Sequence, residues 1–201
     1  MKLQFFKKAA LLGFTSLLIA CASPMISASP HNRDVARIAA LMANEVSPTH
    51  VESLDLLDLS RTIVRLSRTY AIDPLLVLAI IKVESGFKPT ARSHAGAIGL
   101  MQVMPIVIRA VGDEVSVYSR DDLYDPYKNI LLGIHYFTFL RDKYRNNVQN
   151  ALVAYNMGPT ALDGLLVRRN FVPVGYSQKV MRAYEQFRKR MLALIDIAEF
   201  T

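Results

Sequence analysis

Apolar residues recur every three or four positions along most of the chain beyond about residue 32. Two stretches with this spacing contain Val35, Ile38, Leu41 and Met42, and Leu56, Leu59, Ile63, Val64 and Leu66. The spacing places apolar side chains on one face of an amphipathic helix, whereas a half-buried strand needs strict alternation, which the chain does not show. The pattern therefore predicts a mainly helical protein.

Two Asp-Pro pairs mark the starts of further helices, because Asp is favoured as N-cap and Pro at the first helical position. The pair at 73–74 opens "PLLVLAIIKVES", which is apolar at nearly every position. This helix is predicted to run through the core until Gly86 and Pro89 end it. The pair at 125–126 leads into "YKNILLGIHYFTFLRDKY". A short helix ending at Gly158 and a long one from about Ser177 follow.

Glu84 is the one acid on the apolar helix that begins at Pro74. Ile80 and Ile81 lie four and three positions earlier, so their side chains neighbour Glu84 on the helix surface. Apolar surroundings disfavour the charged carboxylate, so we expect a raised pKa and an acid that keeps its proton near neutral pH. Such a group can protonate the leaving oxygen of a glycosidic bond. The alternative is a solvent-facing Glu84 paired with Lys82 or Lys88.

Three ordered blocks of residues surround this acid in the sequence. The first is Glu84-Ser85, with Pro89 and Ser93 soon after; the second is "GAIGLMQVMP" over 96–105; the third is "AYNMGP" over 154–159. Their order and spacing resemble the soluble, lysozyme-like type of lytic transglycosylase. The resemblance covers about residues 60–185 and includes "DPYKNILLGIHYF", which is similar to the family's linking helix.

The resemblance implies a lysozyme-like fold with a groove for a glycan strand, and Glu84 as sole general acid and base. Glu84 would protonate the oxygen between N-acetylmuramic acid and N-acetylglucosamine. It would then take a proton from the muramic acid C6 hydroxyl, which closes onto C1 as a 1,6-anhydro ring. Attack by the sugar on itself needs no second carboxylate, unlike ordinary glycoside hydrolysis. No catalytic role is therefore assigned to the next acids along the chain, Asp113, Glu114, Asp121, Asp122 and Asp125.

The other matched residues imply contacts with the glycan. Ser93 would lie near the reacting sugar, and Gln102 can donate and accept hydrogen bonds with acetamido or hydroxyl groups. Met104 offers apolar surface, although a core position is the alternative. Tyr155 would hydrogen-bond near Glu84 or the sugar. Asn156 would brace the site, or only cap backbone groups.

One stretch departs from the family pattern. Many relatives carry Ile-Pro-x-Glu-Thr-Arg-x-Tyr after the third block, where this chain has "NFVPVGYSQKV". Pro173 and Tyr176 can match, but Glu-Thr-Arg is missing, which leaves open how the far wall of the groove is built.

The histidines and the cysteine do not indicate a metal site or a cofactor. His31, His50, His94 and His135 are scattered without ligand spacing, and Cys21 is the only cysteine.

The first residues have the layout of an export signal. Lys2, Lys7 and Lys8 precede an apolar run over 9–20, so 1–20 is predicted to be a signal peptide and the Ser/Pro/Ala-rich segment 21–32 a tether. "LIAC" over 18–21 resembles a bacterial lipobox, in which Cys21 is lipidated. Ala20-Cys21-Ala22 also fits ordinary signal cleavage, which releases a soluble protein. We favour a periplasmic lipoprotein attached to the outer membrane.

The charge balance limits the kinds of partner. The net charge is +7, and it falls to +4 without 1–20, which holds three lysines and no acid. A mildly basic exported protein suits anionic partners such as cell-wall polymer or lipid head groups. Nucleic acid is a poor fit, because the chain has no zinc-finger spacing, RNA-binding signature or long basic stripe. The expected partner is the glycan strand of peptidoglycan, and no protein partner is indicated.

We therefore predict one lysozyme-like domain over 33–201 that cleaves peptidoglycan without hydrolysis. One alternative is a lysozyme, which uses the same acid but adds water. Another is a glycan-binding or assembly protein that keeps the fold without catalysis.

Overall fold

The structure is a computed structural model that describes residues 29–47, 54–169 and 171–199. The predicted signal peptide, Cys21 and most of the predicted tether lie outside the described residues. The described part contains the helices α1 (Pro30–Ala43), α2 (Leu56–Thr69), α3 (Pro74–Ser85), α4 (Pro105–Val107), α5 (Pro126–Lys143), α6 (Val148–Met157), α7 (Pro159–Val167) and α8 (Gly175–Glu199). Short α4 continues as a π-helix, Ile108–Gly112, and a 3-10 helix, Asp113–Val115; a second 3-10 helix spans Asp121–Tyr124.

The predicted mainly helical fold is confirmed. Within the described ranges, β-type pairing is limited to isolated bridges that join Ile98 to Arg92 and to Val103. Helix α1 begins at Pro30, inside the segment 21–32 that the sequence indicated as a tether, because the Ser29 hydroxyl caps it by accepting from the Asn32 amide. Helix α7 was not predicted. Pro159 marks the end of α6 in the sequence, but in the structure it also occupies the first turn of the next helix.

Helix α3 forms the centre of the core. Every residue from Leu75 to Ile81 is buried. The Asp73 carboxylate accepts from the Leu75 amide at 2.8 Å, and Gly86 ends the helix with a φ of 58°. The long helix α8 packs along α3, so residues near the start of α8 lie beside the end of α3.

A cluster of charged side chains fastens α1, α3 and α8 together. The half-buried Glu45 carboxylate accepts from Lys82 at 2.8 Å and from Arg190, and both cations lie 5.6 Å from the centroid of the Phe187 ring. Burial acts to raise the pKa of Glu45, but the two hydrogen-bonded cations outweigh it, and the pKa lies below its usual value. Lys82 is therefore paired with Glu45 and not with Glu84, and Glu84 keeps its apolar surroundings.

Candidate active site

Glu84 lies in the last turn of α3 and is partly buried. Its Oε1 accepts a hydrogen bond of 2.5 Å from the Tyr176 hydroxyl. Burial raises the pKa of Glu84 to about 7, against the opposing effect of the Tyr176 hydrogen bond. The apolar helix thus produces the raised pKa that the sequence predicted, and near neutral pH much of the carboxyl is protonated.

Tyr176 belongs to the first turn of α8 and was not among the site residues predicted from sequence. The start of this helix is fixed by two hydrogen bonds to the Val174 carbonyl, from the Ser177 hydroxyl and the Gln178 amide, both at 2.9 Å. Burial and the charge of Glu84 raise the pKa of Tyr176 well above 10, so its hydroxyl keeps its proton and acts as a donor. The partial match "FVPVGY" was the only signal in the sequence that pointed to this residue.

Tyr155 lies close enough to Glu84 for the two groups to interact electrostatically. Burial first, and then the charge of Glu84, raise the pKa of Tyr155 well above 10. Its hydroxyl donates to the Met101 carbonyl at 2.9 Å, and its ring packs 5.7 Å from Tyr136 and 6.3 Å from Phe137. The structure therefore groups Glu84, Tyr155 and Tyr176 from α3, α6 and α8.

The loop between α3 and α4 is held by a buried residue that sequence reasoning missed. Asn129 of α5 accepts from the Met101 amide at 2.8 Å and donates to the carbonyls of Ile98 at 2.8 Å and Leu123 at 2.9 Å. Tyr155 binds the carbonyl of the same Met101, so hydrogen bonds fix both the amide and the carbonyl of Met101. Ser85 adds a hydrogen bond of 2.8 Å to the Leu100 carbonyl.

Gln102 and Ser93 both bind the loop backbone. The Gln102 Nε2 donates to the carbonyls of Gly99 at 2.9 Å and Ala91 at 3.1 Å, and its backbone has a φ of 47°. These bonds use only the donor end of the amide, so the acceptor Oε1 is left for a ligand. The Ser93 Oγ accepts from the Ala97 amide at 3.0 Å, which closes a turn and leaves its own proton free to be donated.

The remaining predicted contact residues lie at the surface. Met104 is 37% exposed, which suits an apolar contact and not a core position, whereas Met101 is fully buried. Asn156 at the end of α6 is exposed, as is His94.

Three of the five acids that follow Glu84 in sequence have structural partners elsewhere. Asp122 accepts from the amides of Tyr118 and Ser119 and pairs with Lys128 at 2.5 Å. Asp125 caps α5. Glu114 lies 3.0 Å from the His135 Nε2. Within the described ranges, no other acid forms a hydrogen bond with Glu84 or contributes to its shifted pKa. In the same part of the chain, no three His, Cys, Asp or Glu side chains are grouped closely enough to hold a metal ion.

A cavity of about 400 Å³ lies at the other end of α3 from Glu84. Its apolar floor includes Leu76 and Phe137. The polar groups at its rim already bind protein atoms: Asp73 accepts from Tyr184 at 2.8 Å, and Arg141 donates to the Ala71 carbonyl at 2.7 Å. This cavity is therefore a weaker candidate active site than the group of Glu84, Tyr155 and Tyr176.

The helical fold, with Glu84 at the end of its central helix, defines a lysozyme-like class of domain. Solved structures agree on the fold: the 70-kDa soluble lytic transglycosylase of Escherichia coli has a TM-score of 0.59 and 24% identity over 80% of this chain and 29% of its own. An inactive variant of the lytic transglycosylase Slt from Pseudomonas aeruginosa has a TM-score of 0.50 and 26% identity over 65% of this chain and 21% of its own.

The chain belongs to the transglycosylase SLT domain family, whose model matches residues 61–168. It is similar to membrane-bound lytic murein transglycosylase C of Histophilus somni (strain 2336), with 36% identity over 65% of this chain and 38% of the relative. The protein of the same name from Glaesserella parasuis serovar 5 is 38% identical over 49% of this chain and 30% of the relative. The chain thus spans only about a third of the length of these relatives.

Replacing Gly99 with Ala is expected to destabilise the loop that holds Gln102. Gly99 has a φ of 81°, and a Cβ there would lie 2.3 Å from the Asn129 Nδ2 and 2.6 Å from the Leu123 carbonyl oxygen. Left-handed strain and the backbone clash together predict a loss of about 2 to 5 kcal/mol in unfolding free energy, measured by urea denaturation. Gly96→Ala is the matched control, because its φ is 91° but nothing lies within 4 Å. Equal losses in the two variants would contradict the close packing on Asn129.

Removing the Tyr176 hydroxyl is expected to raise the pKa of Glu84 above its value of about 7. The hydroxyl donates to the carboxylate and so favours the charged form, which Tyr176→Phe would no longer do. The measurement is a carbon-13 NMR titration of the labelled Glu carboxyl groups. Tyr184→Phe is the control, since that hydroxyl binds Asp73 on the same helix. An unchanged Glu84 titration in Tyr176→Phe would contradict the hydrogen bond.

Proposed function

We propose that this protein is a peptidoglycan lytic transglycosylase. It would cleave the β-1,4 bond between N-acetylmuramic acid and N-acetylglucosamine without adding water, and leave 1,6-anhydro ends. The observation that carries the proposal is Glu84, a carboxyl with a pKa raised to about 7 by burial, placed among the family's motifs. The names of the relatives, lytic murein transglycosylase, support the same activity.

In the first step of the proposed mechanism, protonated Glu84 gives its proton to the glycosidic oxygen. The carbon–oxygen bond breaks, the N-acetylglucosamine side leaves with that proton, and positive charge develops at C1 of the muramic acid. A pKa near neutrality keeps the acid form available and still makes it a competent donor. The Tyr176 hydroxyl would hold the carboxyl in position and stabilise the carboxylate that the transfer creates.

In the second step, the Glu84 carboxylate takes the proton of the C6 hydroxyl, and the C6 oxygen bonds to C1. Glu84 regains its proton and water is not consumed. Because nucleophile and electrophile belong to one sugar, the attack has a low entropic cost. A hydrolase would need a second carboxylate to activate water or to attack C1. In the part of the chain that the structure describes, the acids Glu114, Asp122 and Asp125 bind other groups, which favours transglycosylation over the lysozyme alternative.

The other residues of the site are assigned roles in holding the glycan. The Gln102 Oε1 would accept from an acetamido or hydroxyl group, and the Ser93 hydroxyl would donate to the reacting sugar. Exposed Met104 would contact an apolar sugar face. Tyr155 would fix the Met101 carbonyl and so the position of Gln102, and Asn156 would border the groove. An intact acid with its hydrogen-bond partner argues against a non-catalytic binding protein.

The products released from purified peptidoglycan test the proposed reaction. We expect the full chain to release muropeptides one water lighter than those of a lysozyme, detected by mass spectrometry. The Glu84→Gln variant should bind peptidoglycan but release at least a hundredfold less product, the order of effect of losing a general acid. Hydrated products would establish a lysozyme. No products from the unmodified chain, with binding retained, would favour the binding or assembly role.

We also propose that residues 1–20 direct export, that the residues from 21 to the start of α1 link the domain to the envelope, and that Cys21 carries a lipid in the outer membrane. The word "membrane-bound" in the names of the relatives supports attachment. No helix in the described part of the chain has the length and apolar character needed to cross a membrane. In this proposal the lipid on Cys21 supplies the attachment.

The mass of the mature N-terminus tests this assignment. A chain that begins at Cys21 with the added mass of acyl groups is expected, and Cys21→Ser should remove that mass and release the protein from washed membranes. An unmodified N-terminus after residue 20 or 22 would contradict lipidation and establish ordinary signal cleavage.

A further inference from the structure

Three exposed apolar residues lie close together in the sequence where α7 ends and the connection to α8 begins. Val167 and Phe171 are each 83% exposed and Leu166 is 41% exposed. Single exposed apolar residues are common on protein surfaces, but a contiguous group of large ones marks an interaction surface. We call Leu166, Val167, Arg168, Arg169 and Phe171 the α7 tip.

Two arginines lie between these apolar residues. Arg168 and Arg169 are exposed, and in the described ranges neither side chain takes part in an ion pair. The acid one turn earlier, Asp163, is engaged elsewhere, since it pairs with Lys143 at 3.0 Å and accepts from Tyr144 at 2.9 Å. The tip therefore presents uncompensated positive charge directly beside apolar surface.

Two further cations lie in the first turns of α8. Lys179 and Arg182 are exposed. Helix α7 itself has a single fully buried residue, Leu162, and packs mainly on α6, and its residues from Leu166 onward are exposed. The tip is thus accessible to a flat partner.

We propose that the α7 tip docks on an anionic lipid bilayer, with Val167 and Phe171 in the interface and Arg168 and Arg169 at the head groups. Apolar side chains flanked by cations suit this boundary, because the apolar groups leave water while the long arginine side chains reach the phosphates. This contact is separate from the lipid proposed at Cys21 and would orient the domain on the membrane surface.

The docking would place the acid near the membrane. Phe171 is five residues before Tyr176, so their Cα atoms are at most about 18 Å apart. Tyr176 in turn binds Glu84 at 2.5 Å. Glycan close to the bilayer would therefore reach the site more readily than glycan far from it.

A single indole introduced into the full chain tests the contact, because the chain contains no Trp. Phe171→Trp is compared with Tyr118→Trp, which replaces an aromatic residue that is 67% exposed and close to Asp121 and Asp122. The vesicles are phosphatidylethanolamine with phosphatidylglycerol, or phosphatidylcholine alone, each with and without brominated acyl chains. Any attachment through the N-terminus affects both variants equally.

We expect the emission at position 171 to shift to the blue and to be quenched by brominated lipid on the anionic vesicles, while the indole at position 118 stays unchanged. Adding Arg168→Gln and Arg169→Gln should reduce binding of the tip by roughly tenfold or more, at about 1 kcal/mol for each cation.

Unchanged emission at position 171, or equal shifts at both positions, would overturn the proposal. A shift with purified peptidoglycan but not with vesicles would also overturn it and assign the tip to the glycan. Products released by the Phe171→Trp variant stay as in the unmodified chain if the proposed reaction is correct, so the two proposals fail independently.

Discussion

The burial of one carboxyl at the end of an apolar helix is the constraint on which the rest of the site depends. The folded protein raises the pKa of Glu84 from 4.5 to about 7. Below pH 4.5 the group is protonated in both folded and unfolded chains and costs nothing. As the pH rises from 4.5 to about 7, the unfolded chain gives up this proton while the folded chain keeps it, so stability falls by about 3 kcal/mol and does not fall further above 7. The core around α3 offsets this cost, and a substitution that removes the charge would relieve it.

Backbone strain in the loop between α3 and α4 is a second feature of the site that lowers the stability of the fold. Phe87 and Gln102 have φ values of 64° and 47°, in a region that costs roughly 1 to 3 kcal/mol for residues other than glycine. Such conformations persist only where the surroundings determine them. Asn129 and Tyr155 do so by binding the amide and carbonyl of Met101, the residue before Gln102. Buried Phe87, whose ring packs edge-on against Phe187 at 6.5 Å, is held in the same way.

The sequence predicted what depends on local pattern and missed what depends on distant pairing. Helical spacing, the Asp-Pro starts and the apolar surroundings of Glu84 are local, and the structure confirms the helices and the raised pKa. The bond between Tyr176 and Glu84 joins residues 92 positions apart. Glu84 lies two residues after Lys82 in the sequence, yet Lys82 pairs with Glu45, 37 positions away. Neither partner could be chosen by spacing, because only the packing of α1 and α8 against α3 brings these groups together.

The connection between α7 and α8 shows why the departure from the family pattern matters. It lacks the expected Glu-Thr-Arg, yet it still delivers a tyrosine to Glu84. Two hydrogen bonds to the Val174 carbonyl lock the start of α8, so the position of Tyr176 is tied to the few residues before it. Those same residues lead back to the exposed Phe171. A short connection therefore joins the exposed Phe171 to the residue that hydrogen-bonds Glu84.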